Sequence, residues 1–273
     1  MPLTLTLRTP TSIPLEVDTV KLETVRVQSA DQVKATVIQR GNRQVTVGEF
    51  FDVNGSAADD DTLVWQGDCS KVKLIGSHLS TGTIMVEGNA GMHLGAEMSG
   101  GSITVNGDAG DWVGAEMHGG RIHVKGNAGH LVGGVYRGGR KGMTNGEILI
   151  DGNAGNEIGH AMRRGLIAIG GRAGDAAGVS MIAGTIVIAG ETGIRYGIGM
   201  KRGSIVLLGD DPPEMLPTFK HSGTSRPTIM RVLFRHLSGL GWSVPAGSLD
   251  SAYHRFLGDF LELGKGEILT RVA

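Results

Sequence analysis

The sequence predicts an all-β protein whose centre is a right-handed parallel β-helix, and two observations predict it. A block opening on glycine recurs at Gly82, Gly101, Gly120, Gly146, Gly165, Gly184 and Gly203, with a step of 19 residues everywhere except the 26 between Gly120 and Gly146. Inside each block the same residue types return to the same places. Self-similarity at a fixed period of this length is the mark of a solenoid, in which each coil pairs only with its neighbours.

The columns justify each part of a coil. Ile84, Ile103, Ile122, Ile148, Ile167, Ile186 and Ile205 fill one, and Val86, Val105, Val124, Ile150, Ile169, Ile188 and Leu207 fill the place two residues later. Alternation of this kind is a short strand with one inward face. Glycine holds three further columns, exemplified by Gly107, Gly110 and Gly114, and these read as corners where a Cβ has no room or φ must be positive. A sixth column reads Met98, Met117, Tyr136, Met162, Met181 and Met200, which places the seven-residue insertion after Tyr136. A degenerate earlier coil shows in Leu74, Ile75, Gly76, Leu79 and Gly82, and Asp210-Asp211-Pro212-Pro213 ends the stack because proline cannot donate to a ladder.

Three units follow from this: a mixed α/β cap over 1–70, the glycine-repeat β-helix over 71–209, and a linker, helices and a terminal strand over 210–273. In the first, Leu3 to Leu7 and Val45 to Val47 read as strands, and Ser29 with Gln32 as a capping box ahead of one short helix. In the last, Ile229, Val232, Leu233, His236, Leu237 and Leu240 fall at helical spacing before Gly241. The outward strand position changes from Met85, Thr104 and His123 to Leu149, Ala168, Val187 and Val206. Something covers the later coils there, and the C-terminal segment or a partner subunit are the two candidates.

Composition narrows the function. The chain has 273 residues, 40% hydrophobic but only 4% aromatic, with a net charge of -1, so whole-chain electrostatics favour neither nucleic acid nor a membrane surface. No apolar window approaches the ~18 residues a membrane span needs, and no secretory leader is read at the start, so the expected location is cytoplasmic. Cys69 stands alone, excluding an internal disulfide or an iron-sulfur cluster held by this chain, and reads as a semi-buried small residue.

Catalytic constellations are not found. The nine histidines lack metal-ligand spacing, with His118 and His123 read as solvent-facing, and no nucleophile elbow is present. The run from Gly134 to Thr144 fails as a phosphate loop, since no lysine directly follows its second glycine and no helix comes next. Glu97 and Glu116 share a column and read as a solvated ledge rather than a catalytic dyad. No catalytic residue and no metal ligand is therefore assigned.

One patch is different. Arg137, Arg163 and Lys201 follow the methionine column, Arg164 and Arg202 come next to them, and Arg140 and Lys141 sit on the insertion. With coils stacked at roughly 4.8 Å, these seven cations are expected to form a ridge. Solvated surface charge is the plain alternative. Stacked cations without interleaved acids repel one another, however, which points to an anionic ligand.

The 19-residue array resembles the glycine-repeat β-helix shared by the glutamate synthase large chain and the C subunit of formylmethanofuran dehydrogenase. "GNRQVTVGEFFDV" at 41–53, "WQGDCSKVKLIG" at 65–76 and "GDFLELGKGEIL" at 258–269 resemble the latter. That resemblance implies a non-catalytic β-helical subunit working beside an amidohydrolase-like subunit that carries the metals. In methanogens a tungsten or molybdenum pterin subunit joins them. In methylotrophic bacteria the resemblance implies a formyltransferase/hydrolase complex, with a formyltransferase subunit and a further subunit, passing formyl groups from tetrahydromethanopterin to a furan carrier and on to formate. Such carriers, of methanofuran or methylofuran type, end in glutamyl chains that suit a linear cation ridge. Arginine outnumbers lysine, without the Lys/Glu enrichment of hyperthermophiles, which favours the bacterial version. A stand-alone glutamate-synthase-like module is a further reading. An autonomous β-helix lyase or hexapeptide acyltransferase is a rival, but neither secretion nor a hexapeptide period is present.

Overall fold

The first strand of the computed structural model, which describes residues 1–272, is Leu3–Leu7 (β1). Leu3 and Leu5 are buried, as the two-residue period of a strand requires. Strand Leu15–Glu16 (β2), helices Leu22–Val25 (α1) and Ala30–Lys34 (α2), strands Val37–Arg40 (β3) and Arg43–Thr46 (β4), helix Val47–Phe50 (α3) and strand Phe51–Asn54 (β5) follow. Ser29 caps α2 as its spacing predicts: Gln32 N donates to its Oγ at 3.3 Å, and Ser29 N donates to Gln32 Oε1 at 2.8 Å. The sequence suggests one helix here and the structure has three, α1 and α3 being too short to display a helical period.

Parallel pairing begins at Thr62–Gln66 (β6), which lies between β1 and a later strand. After Val72–Lys73 (β7) come Thr83–Val86 (β8), Ser102–Val105 (β9), Arg121–Val124 (β10), Glu147–Ile150 (β11), Leu166–Ile169 (β12), Thr185–Ile188 (β13) and Arg202–Leu207 (β14). From β8 on, each is parallel to the next and in register, so isoleucine stacks on isoleucine and both inward columns are buried. Two more lines tie the turns together. Parallel bridges run through Cys69, Ala90, Ala109, Ala128, Ala154, Ala173 and Thr192. Along the methionine column, His118 N donates to Met98 O at 2.8 Å and Arg163 N to Met143 O at 2.9 Å.

Glycine serves this stack in two ways. Gly114 has φ +62°, and a Cβ there would stand 2.5 Å from Ile148 Cδ1. Gly110 lies outside the left-handed region, but its Cβ would sit 2.9 Å from Met92 N of the preceding turn. The asparagines and aspartates beside these glycines form two ladders that the residue columns do not announce. Asn89 Oδ1 accepts from Asp108 N, Asp108 Oδ1 from Asn127 N, Asn127 Oδ1 from Asn153 N and Asn153 Oδ1 from Arg172 N, at 2.7–2.9 Å. Asp111, His130, Asn156 and Asp175 repeat the arrangement three residues on, with His130 accepting through Nδ1.

The molecule is mostly sheet with few short helices, but its main sheet is mixed rather than purely parallel. The chain leaves the ladder after Leu207, and Lys220–Ser225 (β15), helix Thr228–Gly239 (α4), Tyr253–Gly258 (β16) and Lys265–Arg271 (β17) follow. The ladder itself continues, because β17 returns to lie parallel on β14, with β16 and β15 antiparallel beyond it. At the other end β5 is antiparallel to β1. A smaller sheet runs β4-β3-β2-β7.

The C-terminal segment covers the later strands. Leu149, Ala168, Val187 and Val206 form a second core with Met230, Phe234, Leu237, Trp242, Tyr253 and Leu269. Two expectations are corrected here. The buried face of α4 is Met230, Phe234 and Leu237, whereas Ile229 and Val232 are 60% and 58% exposed and His236 points to Glu147. Both stripes have helical spacing, and the bulkier Phe234 fills the space over the strands. His123 does not face solvent: it is 7% exposed, with Nε2 2.8 Å from Asp151 Oδ1 and Lys125 Nζ beside the ring. A histidine hydrogen-bonded to a carboxylate tolerates the edge of an apolar face that an unpartnered one would not.

Candidate functional site

The insertion lies one corner earlier than the columns suggest. Met143, not Tyr136, takes the methionine place: its methyl lies against Gly165, as that of Met117 lies against Gly146. The backbone agrees, since Thr144 N donates to Met117 O at 2.7 Å. Arg137 is therefore not in the column that follows, and Thr144 and Asn145 stand where Arg137 and Gly138 were expected. Tyr and Met both suit a buried apolar place, so sequence alone could not decide the alignment.

Four of the seven predicted cations are brought together by this geometry. Arg163, Arg164, Lys201 and Arg202 line a groove of about 450 Å³, floored by Ile182, Ala183 and Gly184 and closed on one side by Leu263. The same two arginines also line a neighbouring hollow with His118, Thr144 and Asn145. The result is a furrow with cations on alternate turns and an apolar step between them. Lys201 has Glu262 at 3.9 Å, a pair too open to neutralise it. Among the described residues no carboxylate forms an ion pair with Arg163, Arg164 or Arg202. Unpaired guanidinium groups on a rigid backbone present their fork of donors to a carboxylate or phosphate at little ordering cost.

Arg137, Arg140 and Lys141 stay apart from that furrow, exposed on the inserted loop. Tyr136 anchors the loop: its N–H donates to Glu116 Oε1 at 3.0 Å and its hydroxyl lies 2.9 Å from His93 Nδ1. His93 stacks on Trp112 with ring centroids 5.4 Å apart. Burial pushes the Tyr136 phenol up to about 12 and the His93 imidazole below its ordinary value, so a protonated phenol faces a neutral ring. Glu116 thus has a structural job, and Glu97 sits within 3.9 Å of His78. Cys69 is fully buried, and desolvation raises its thiol to about 12, which removes it as a nucleophile. Among the described residues no three His, Cys, Asp or Glu side chains converge as a metal site, and no helix is long and apolar enough to cross a membrane.

A family model described as the GXGXG motif matches residues 69–216. The whole fold superposes on a chain of the formyltransferase/hydrolase complex (FhcABCD) from Methylorubrum extorquens in complex with methylofuran, with a TM-score of 0.91 and 33% identity over 99% of this chain and 100% of that one. The C subunit of the molybdenum-containing formylmethanofuran dehydrogenase 1 of Methanothermobacter marburgensis is 37% identical over 83 residues, 30% of this chain and 21% of that protein. The C subunit of the tungsten-containing formylmethanofuran dehydrogenase 2 of Methanothermobacter wolfeii is 40% identical over 86 residues, 30% of this chain and 32% of that protein. The chain belongs to the family of formylmethanofuran dehydrogenase C subunits. The matched stretch spans between about a fifth and a third of the length of these two curated relatives.

Within this chain, the three flanking motifs have definite places. Residues 41–53 form β4, α3 and most of β5, residues 65–76 form the first turn of the ladder, and residues 258–269 form the turn into β17 and most of that strand. Leu263 of the last motif completes the furrow, a residue that the charge pattern alone does not single out. Its only signal is an apolar side chain beside the glycines and acids of a loop.

Proposed function

We propose that the chain is a non-catalytic scaffold and carrier-binding subunit of a formyltransferase/hydrolase complex. In that complex formyl groups pass from tetrahydromethanopterin to a furan carrier and on to formate. Its stacked turns serve as a right-handed parallel β-helix with 19-residue coils, capped by residues 1–70 and 210–273, in a cytoplasmic assembly with an amidohydrolase-like, a formyltransferase and a further subunit. The observation that carries the reading is the furrow of Arg163, Arg164, Lys201 and Arg202 on a chain whose structural neighbour belongs to a complex with methylofuran. A glutamyl tail offers a line of carboxylates to these cations, and charge-assisted contacts repeated along it hold the carrier without fixing any one residue. Arg137, Arg140 and Lys141 extend the same field from the loop.

Replacing Arg163, Arg164, Lys201 and Arg202 with glutamine in the assembled complex tests this. The complex is expected to assemble, retain less carrier and slow transfer between its two active sites, with wild-type retention itself weakening as salt rises. A variant complex that keeps its full carrier load in high salt and turns over normally overturns the carrier role. The names of the curated relatives favour a second reading, the C subunit of a tungsten or molybdenum formylmethanofuran dehydrogenase. Purifying the tagged chain from its native host separates the two: a pterin subunit in the complex supports the second, a formyltransferase subunit the first.

A further inference from the structure

The turn between β16 and β17 is built to hold apolar side chains in water. Asp259 is only 2% exposed, yet its carboxylate is satisfied by backbone alone: Oδ2 accepts from Gly199 N and Oδ1 from Leu261 N, both at 3.0 Å. Its carbonyl accepts from Glu262 N and Gly264 N at 3.0 Å each, and Phe260 N donates to Thr218 O at 3.1 Å. Gly264 closes the turn at φ +62°, packed so near the Phe260 ring that a Cβ would sit 2.8 Å from Cδ1. Inside this frame Phe260, Leu261 and Leu263 are 55%, 82% and 53% exposed. Three large apolar residues in four positions, held rigid and displayed, resemble the pre-organised anchors that dominate protein interfaces.

We propose that the Asp259–Gly264 turn is a docking knuckle that inserts Phe260, Leu261 and Leu263 into an apolar pocket rimmed by carboxylates on another subunit of the complex. The inference rests on the reading of the chain as a member of a hetero-oligomer. Charge selects the partner. Lys201, Arg202 and Lys265 stand around the knuckle, Arg163 and Arg164 lie across the furrow from it, and Glu262 meets only Lys201. A second copy of this chain would bring the same cations against these across a two-fold interface, at the cost of repulsion. A lipid surface is flat, whereas Leu263 leads directly down into a groove of about 450 Å³, so the relief suits a shaped protein surface. Seated in this way, the partner would form one wall of the furrow and set the carrier-binding strip along its own edge.

The test uses the complex reconstituted by co-expression with its companion subunits. Leu261→Asp combined with Leu263→Asp is expected to leave the melting temperature of the isolated chain unchanged, because both residues are exposed, while weakening association about 30-fold or more. Leu261→Met in an otherwise wild-type chain is expected to retain most of the affinity. A photo-crosslinker at position 261 of the assembled complex is expected to label one companion subunit at an apolar segment bearing Asp or Glu; this reading stands even where the double variant misfolds. Wild-type affinity for a folded double variant overturns the proposal. So does crosslinking only to a second copy of the chain, or binding only to vesicles containing 30% anionic lipid. Failure of the wild-type chain to join any stoichiometric companion overturns the complex reading too, whereas assembly without a crosslink at position 261 overturns the knuckle alone.

Discussion

From Gly101 to Gly120 the chain completes a turn in 19 residues, and from Gly120 to Gly146 it takes 26, yet both turns deliver isoleucine to the same inward place. The regular turn and the lengthened one share their strand pairing, alanine bridges and methionine contacts, and differ in a single corner between Gly134 and Met143. The lesson is that three hydrogen-bonded lines fix a turn and the path between them is free. Extra residues leave the core untouched where they enter between lines.

The sharpest way to break that comparison is to exchange the roles of Met143 and Tyr136. Met143 is fully buried in the methionine column, so Met143→Ala should cost about 2–5 kcal/mol in chemical denaturation. A cost below about 1 kcal/mol would return the column to Tyr136. Next comes a regular corner. Gly114→Val must adopt a positive φ and displace Ile148, for an expected loss of about 1–3 kcal/mol, and an unchanged melting temperature would contradict the corner geometry.

Within the inserted turn the effects shrink. Tyr136→Phe removes the contact with His93 Nδ1 and should cost about 0.5–1.5 kcal/mol, with faster hydrogen exchange confined to the loop from 136 to 142. Unchanged exchange there would mean that Glu116 alone holds the loop. The smallest effect is a pH dependence. Burial depresses the His93 value, so the folded state binds the proton less readily than the unfolded chain. The associated stability is complete above the ordinary histidine value of about 6.5 and is lost as pH falls through the lower folded value. Denaturation profiles of wild type and His93→Gln should therefore converge on acidification, and parallel profiles would remove His93 from the account.

Residues that repeat are legible in the sequence, and residues that occur once are not. Ile103, Ile122 and Ile148 announce their burial because each confirms the others, and the change from Thr104 to Leu149 announces a cover over the later strands. The Asn and Asp ladders repeat as well, but an exposed polar residue beside a glycine looks like ordinary turn chemistry until its acceptor is seen to reach the next turn. Tyr136 and Met143 are single choices between two apolar side chains. The face of α4 is ambiguous in sequence because Ile229, Val232 and His236, like Met230, Phe234 and Leu237, step by three and four residues along a helix, and only the strand surface decides between them. At the furrow, the charges of Arg163, Arg164, Lys201 and Arg202 can be read in advance, but Leu263 comes from 61 residues beyond Arg202 and is placed there only by the return of β17.

The two side-chain ladders make this protein hard to lengthen anywhere else. Each acceptor from Asn89 to Asn153, and from Asp111 to Asp175, is committed to one N–H of the following turn. A residue added beside them would shift every later partner out of reach, like a dropped tooth in a zip. The inserted corner carries one bond of this kind, from Tyr136 N to Glu116 Oε1, and leaves the stretch from Arg137 to Gly142 free of them. Over long divergence, new loops, and whatever recognition they bring, should accumulate on that one edge of the molecule, while the ladder edge keeps its length.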